Sequence, residues 1–358
     1  MKFIYNPAQL PDDFNLLQDI NSAAHTLFRK LKNLDIDTLN ISDYTKKYVG
    51  NHVRALERTL QNYSYVLAWS LAYMNLKECT FLDYGGGSGI LSLLARLCGV
   101  RTVVYSDIYD VSCRDAKVIG ESMHNQADYY VHGDIDDVIT FLRGHSLLCD
   151  AIASYDVIEH IYDIEGFFTR IPDVPGVSTV VMSSGANKYH PLIRRHIMKR
   201  QREVEYTDRK KVWGHKERDC MKAYYNVRKE IISGYTGKLT EKEVEQLARA
   251  TRGMMEPDIN QCITAYLEIG KLPEELDHPT NTCDPYTGNW AEHLMDPYTL
   301  RDILSQKGFD TKVLPGYYGY YGSSVKRITG KILNVGIYVL GKYSMRAAPF
   351  FTIYGRRQ

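Results

Sequence analysis

The chain has 358 residues, with 44 Lys and Arg against 43 Asp and Glu and a formal net charge of +1. Single hydrophobic cores stop growing at roughly 250 to 300 residues, so the length predicts one core carrying large additions. The balanced charge excludes a global field that would gather nucleic acid or an anionic membrane, and any charge-driven recognition has to be local.

Seven cysteines (79, 98, 113, 149, 220, 262, 283) are scattered without a C-x-x-C pair. The pattern argues against a zinc ribbon, a redox dithiol or a disulfide framework and predicts a reducing, cytoplasmic setting. Pro7, Pro11 and nearby acids stand where a secretory signal needs an unbroken apolar stretch, so none is expected. The apolar run 332–341 is about half of the ~20 residues a bilayer span requires and is interrupted by Asn334, so no transmembrane span is predicted.

Residues 12–32 place Leu16, Ile20, Ala24, Leu27 and Leu31 at helical spacing, and 45–74 repeat the signal through Val53, Leu56, Leu60, Tyr63 and Leu67. The first 78 residues therefore read as a helical N-terminal cap. From Thr80 short apolar runs (FLDY, TVVYSD, YYVHGD, AIASYD, STVVMSS) alternate with helix-length segments. This βα alternation predicts an α/β fold, a parallel sheet with helices on both faces. It stops near Asn187, and a polar, Tyr- and Lys/Arg-rich stretch over 188–288 reads as a helical insert. A helix from Asp296 to Lys307 stopping at Gly308, and strands at 309–314 and 349–354, return the chain to the core over 289–358. Between those strands Ile328, Ile332, Val335 and Val339 form an apolar stripe with lysines and an arginine around it. Such a stripe fits a membrane surface or a helix covering the sheet, and core packing is the reading adopted.

The chemistry-bearing segment is Phe81-Leu82-Asp83-Tyr84-Gly85-Gly86-Gly87-Ser88-Gly89, a strand ending in an acid and a glycine turn that opens a helix. Glycines there let a ligand lie directly on the backbone. Gly85, Gly87 and Gly89 follow G-x-G-x-G rather than the dinucleotide G-x-G-x-x-G, and no Lys-Ser or Lys-Thr follows as a phosphate-binding P-loop requires.

With an acid before G-x-G-x-G, the chain resembles the class I S-adenosylmethionine-dependent methyltransferases. The resemblance covers 79–187 and, more loosely, 290–358. It implies a Rossmann-like seven-stranded sheet, mostly parallel with the last strand antiparallel, and S-adenosylmethionine as cofactor, released as S-adenosylhomocysteine. Asp107, followed by Ile108, closes the second strand, where a carboxylate accepts from both ribose hydroxyls. Asp134 and Ile135 close the third, where the family places an acid near the adenine amino group and an apolar side chain against the ring. Tyr155 ends the fourth. The run Asp156-Val-Ile-Glu159-His160-Ile is similar to the small-molecule branch typified by ubiquinone- and menaquinone-biosynthesis methyltransferases. The expected reaction is O-methylation of a small anionic or sugar-like acceptor rather than a nucleic acid. Two other readings stay open: a nicotinamide or nucleotide-sugar oxidoreductase on a similar fold, and a non-catalytic binding subunit.

His160 follows the fourth strand and is a candidate general base, with His293 in reserve. Asp156, Glu159 and His160 can also share a divalent ion, as matching positions do in some quinone-pathway relatives, but no metal enters the reading. His278, Cys283 and His293 match no closed zinc set. The polar cluster 278–293 includes Trp290, a candidate substrate contact where insert meets core. Between Lys188 and Arg218 there are 11 Lys/Arg and 4 Asp/Glu. Arg195, Lys199 and Arg202 share one helical face there and are candidates for binding an anionic substrate. Of the 28 tyrosines against 10 phenylalanines, most are assigned to amphipathic layers between helices.

Overall fold

β1 (Thr80–Tyr84), β2 (Thr102–Asp107), β4 (Ala151–Tyr155) and β5 (Thr179–Ser184) are apolar and almost continuously buried, as strands covered on both faces have to be. In the computed structural model, which describes residues 2–5, 10–210, 218–274, 276 and 279–357, these strands sit in one seven-stranded sheet ordered β3-β2-β1-β4-β5-β7-β6. β3 (Tyr129–His132) through β5 pair in parallel; β7 (Phe351–Arg357) runs antiparallel to both β5 and β6 (Phe309–Pro315). The fold is the Rossmann-like, mostly parallel arrangement expected. The chain starts centrally at β1, winds outward to β3, then crosses back to β4. The β1/β4 junction is thus the topological switch point, beyond whose carboxyl edge open α/β sheets bind ligands.

The N-terminal helices do not form a separate cap. α1 (Phe14–Asn33) and α3 (Leu56–Leu71) lay Leu27, Leu31, Leu60 and Leu67 into one cluster with Phe81, Val103 and Ala153 of the sheet. The apolar repeat over 45–74 is divided at Ala55 into α2 (Asp43–Arg54) and α3. Connecting helices α4 (Ile90–Leu97), α5 (Asp110–Ser122), α6 (Ile135–Gly144) and α7 (Ile164–Arg170) separate the parallel strands.

The chain divides into two compact units: residues 1–158, 165–185 and 296–358, and residues 159–164 with 186–295. The second unit carries α8 (Pro191–Tyr206), α9 (Tyr224–Tyr235), α10 (Glu241–Ala250) and α11 (Glu256–Ile269). Its small apolar cluster includes Ile232, Leu247, Ile259 and Ile263. Beside that cluster Arg228 and Glu205 form a fully buried ion pair. Arg228 Nε also donates to the Ala248 carbonyl (2.9 Å), and Glu205 accepts from the Thr282 hydroxyl (2.7 Å). These extra bonds are what a desolvated pair needs to persist.

In the first unit, α12 (Pro297–Gln306) is capped by Asp296, which accepts from Tyr298 N, and leads into β6. α13 (Ser324–Val339) then departs from expectation. Its buried positions are Gly330 and Ile337, while Ile328, Ile332, Val335 and Val339 face solvent. Asn334 docks the helix by exchanging two hydrogen bonds with the Tyr318 backbone (2.8 and 2.9 Å). The stripe is therefore not core packing.

Candidate functional site

The glycine turn occupies the carboxyl end of β1. Gly85, Gly87 and Gly89 take φ of 70°, 51° and 74°, the left-handed region that only glycine enters without strain. The spacing noticed in the sequence is thus a backbone requirement. Gly86 is constrained differently: a Cβ there would lie 2.6 Å from the Tyr105 ring and 2.8 Å from Asp83 Oδ2.

Two carboxylates flank the turn. Asp83 is buried, its Oδ2 accepting from both the Ser92 backbone N–H (2.9 Å) and hydroxyl (2.7 Å) at the start of α4. Burial, with Asp107 nearby, outweighs those bonds and raises its carboxyl to about 7. Asp107 accepts from Gly87 N (3.1 Å) through Oδ2 and from Tyr109 N (2.8 Å) through Oδ1. An ionised carboxylate has about four lone-pair sites, so two backbone donors leave it capacity for further hydroxyls.

Ile108 beside it is 50 % exposed, an apolar face presented at the sheet edge. Asp134 caps α6, accepting from Asp136 N (2.8 Å) and Asp137 N (3.2 Å), while Ile135 is buried. Tyr155 accepts from Asn62 Nδ2 (2.6 Å) and packs edge-on to Tyr63 at 5.6 Å. Burial, with Asp156 adjacent, lifts its hydroxyl well above the usual tyrosine range. Asp156, at φ 53°, ties the end of β4 to β5 by accepting from Gly185 N at 2.9 Å.

α2 brings residues that the sequence reading passed over. A Cβ on Gly87 would lie 3.2 Å from the Tyr48 ring. Tyr48 packs against His52 at 4.6 Å, and His52 Nδ1 bonds Ser88 Oγ at 3.1 Å. Burial, aided by Arg58, holds His52 down at about 4, so it is neutral at physiological pH. The visible signal was the run of Tyr44, Tyr48 and His52 at i, i+4 and i+8, one face of a helix.

In the second unit His160, Glu159 and Glu292 converge: their ligand atoms all lie within 4.8 Å of one another. His160 Nδ1 lies 2.9 Å from the Trp290 carbonyl, which can only accept. The neutral imidazole therefore carries its proton on Nδ1 and its lone pair on Nε2, the form needed for a base or a metal ligand. Glu292 has φ 61°, and its carboxylate lies 3.5 Å from Arg200. His293 stacks on Trp290 at 4.2 Å. Trp290 itself is buried, stacked on Tyr162 and donating from Nε1 to the Tyr162 carbonyl at 3.1 Å. Asp156 is not part of this group. Two carboxylates and an imidazole suit a hard divalent cation.

Arg195, Lys199 and Arg202 all lie exposed on α8, with Lys199 3.8 Å from Glu203. His278, named with the polar cluster, and residues 211–217 of the basic stretch lie outside the described residues.

No protein-family profile matches the chain, and no curated protein matches it. Solved structures do. A candidate methyltransferase, SMU.776, complexed with S-adenosylhomocysteine, is 14 % identical over 38 % of this chain and 38 % of its own, with a TM-score of 0.30. A candidate RNA methyltransferase from Pyrococcus horikoshii, PH1948, is 18 % identical over 42 % of this chain and 68 % of its own, at 0.28. The bifunctional kinase-methyltransferase WbdD is 22 % identical over 29 % of this chain and 23 % of its own, at 0.24. This chain thus spans well under half of the first and last of these. The fold assignment rests on its own strand order and register.

Proposed function

We propose that the chain is an S-adenosylmethionine-dependent methyltransferase. The observation that carries the reading is the turn after β1: three left-handed glycines flanked by Asp83 and Asp107 at the sheet's switch point. When bound, S-adenosylmethionine supplies a methyl group already activated on a sulfonium. Asp107 would accept from the ribose hydroxyls and Ile108 would offer an apolar face to the adenine, while Tyr48 covers the glycine turn. Asp134 serves the adenine amino group with the carboxylate capacity its capping bonds leave. Ile135 is buried, so it does not take the exposed apolar position that Ile108 has. Replacing Asp107 with Ala is expected to weaken S-adenosylhomocysteine binding by about 1.5–3 kcal/mol, the value of hydrogen bonds to a charged group. Calorimetry measures this, with thermal unfolding as the control for loss of the Gly87 brace. Undiminished affinity removes Asp107 from the site.

The acceptor reading is O-methylation of a small anionic or sugar-like molecule, with His160 Nε2 taking the hydroxyl proton and Arg195, Lys199 and Arg202 holding the anion. Catalysis of such a transfer depends chiefly on holding the oxygen close and in line, and the base adds on the order of 10²-fold. His160→Ala is accordingly expected to lower kcat about 100-fold while leaving cofactor affinity within twofold. Convergence of Glu159, His160 and Glu292 favours a second reading, in which the three side chains hold a divalent cation. Loss of transfer on chelation, restored by Mg²⁺, decides for the cation; indifference to chelator decides for the base.

A further inference from the structure

α13 turns its apolar side to solvent. Val325, Ile328, Ile332, Val335 and Val339 follow i, i+3, i+7, i+10 and i+14, a single face, and each is 60–76 % exposed. The opposite face is the docked one, through Gly330, Asn334 and Ile337. A helix covering a core has the reverse arrangement, and a run of five large aliphatics in water is not ordinary surface scatter.

Charge identifies what covers it. From residue 311 to the last residue the sequence contains no Asp or Glu, while Lys312, Lys326, Arg327, Lys331, Lys342, Arg346, Arg356 and Arg357 lie in that stretch. Lys326 and Lys331 are exposed on the two flanks of the aliphatic stripe, and Lys342 and Arg346 follow the helix. Tyr338 and Tyr343 are exposed at its end, Tyr343 with Lys342 at 5.2 Å and Arg346 at 5.3 Å from its ring. A second copy of the same face would bring cations against cations. A basic aliphatic helix ending in tyrosines instead matches a bilayer interface, where the aliphatics enter the acyl boundary, amines meet lipid phosphates and phenols sit at headgroup level. At 16 residues and with three cations the helix lies along a membrane rather than crossing one. Among the described residues no helix is long and apolar enough to cross.

We propose that α13 docks the chain on an anionic lipid surface. The proposal is independent of the methyltransferase reading.

The test is co-sedimentation of the full chain with vesicles of phosphatidylcholine alone and with about 30 mol % phosphatidylglycerol, at about 0.1 M and 0.5 M salt. Binding is expected to the anionic vesicles, weakened by salt and at least 10-fold weaker without the anionic lipid. Lys326→Gln with Lys331→Gln is expected to weaken it by about 25-fold, from roughly fivefold per cation. Ile328→Glu with Ile332→Glu is expected to abolish it while leaving the unfolding midpoint in place, since neither side chain is buried. If that pair does not fold, Ile328→Ala with Ile332→Ala replaces it, and a loss of at least ~10-fold is expected. Absence of binding to anionic vesicles at the lower salt overturns the proposal. So does binding that neither pair of substitutions changes. Sedimentation velocity supplies the competing outcome: a dimer that the Ile variants convert to monomer makes a second copy the occupant and overturns the lipid assignment.

Discussion

Asp83 sits where a carboxylate is held against its own preference. Burial holds its carboxyl up at about 7, against the ~4 of an exposed aspartate. Between those values the folded chain keeps a proton that the unfolded chain releases, so Asp83 makes stability fall as pH rises from about 4 to 7. Asp83→Asn is expected to flatten that slope, which unfolding midpoints taken across the window measure; an unchanged slope assigns it to other groups. Tyr48→Ala is expected to weaken S-adenosylhomocysteine binding several-fold without loss of fold, because its ring covers the turn and fills no core; unaltered affinity in calorimetry removes Tyr48 from the site. Asp83 and the three glycines were legible because strand, acid and turn are consecutive in sequence, and Asp107 because it closes the next strand. Tyr48 and His52 were not, since their partners lie some 35 to 40 residues downstream and their spacing reads equally as a packed helix face.

At the scale of elements, the parallel strands announced themselves as short apolar runs, whereas apolar runs by themselves leave the strand order open. Helical periodicity says that one face is apolar, not which way that face points. That is why the stripe on α13 read as core and proved exposed. A similar limit hid Glu205, which stands within a basic stretch yet is buried against Arg228. Removing one member of such a pair strands the other charge in a dry interior. Glu205→Gln or Arg228→Met is each expected to destabilise the second unit by about 3–5 kcal/mol, and the double change by less than the sum. Denaturant unfolding of the four chains checks the coupling; additive losses contradict it.

For the whole molecule, the sequence conveyed one mostly parallel sheet, and the chain divides into two compact units, the second made of 159–164 and 186–295. The N-terminal helices read as a cap because their periodicity is separate along the chain. They belong to the sheet's core because Leu27, Leu31 and Leu60 pack in the same cluster as Phe81 and Val103. The proposed acceptor contacts, Arg195, Lys199 and Arg202, are separated side chains and leave a weaker trace in sequence than a contiguous glycine turn. The proposed methyl transfer requires the glycine turn to hold S-adenosylmethionine. Titration calorimetry of the full chain with S-adenosylhomocysteine and, separately, with NAD⁺ therefore tests the central claim most directly. One-to-one binding of S-adenosylhomocysteine with no heat from NAD⁺ is the result expected; binding of NAD⁺ in preference, or of neither, contradicts it.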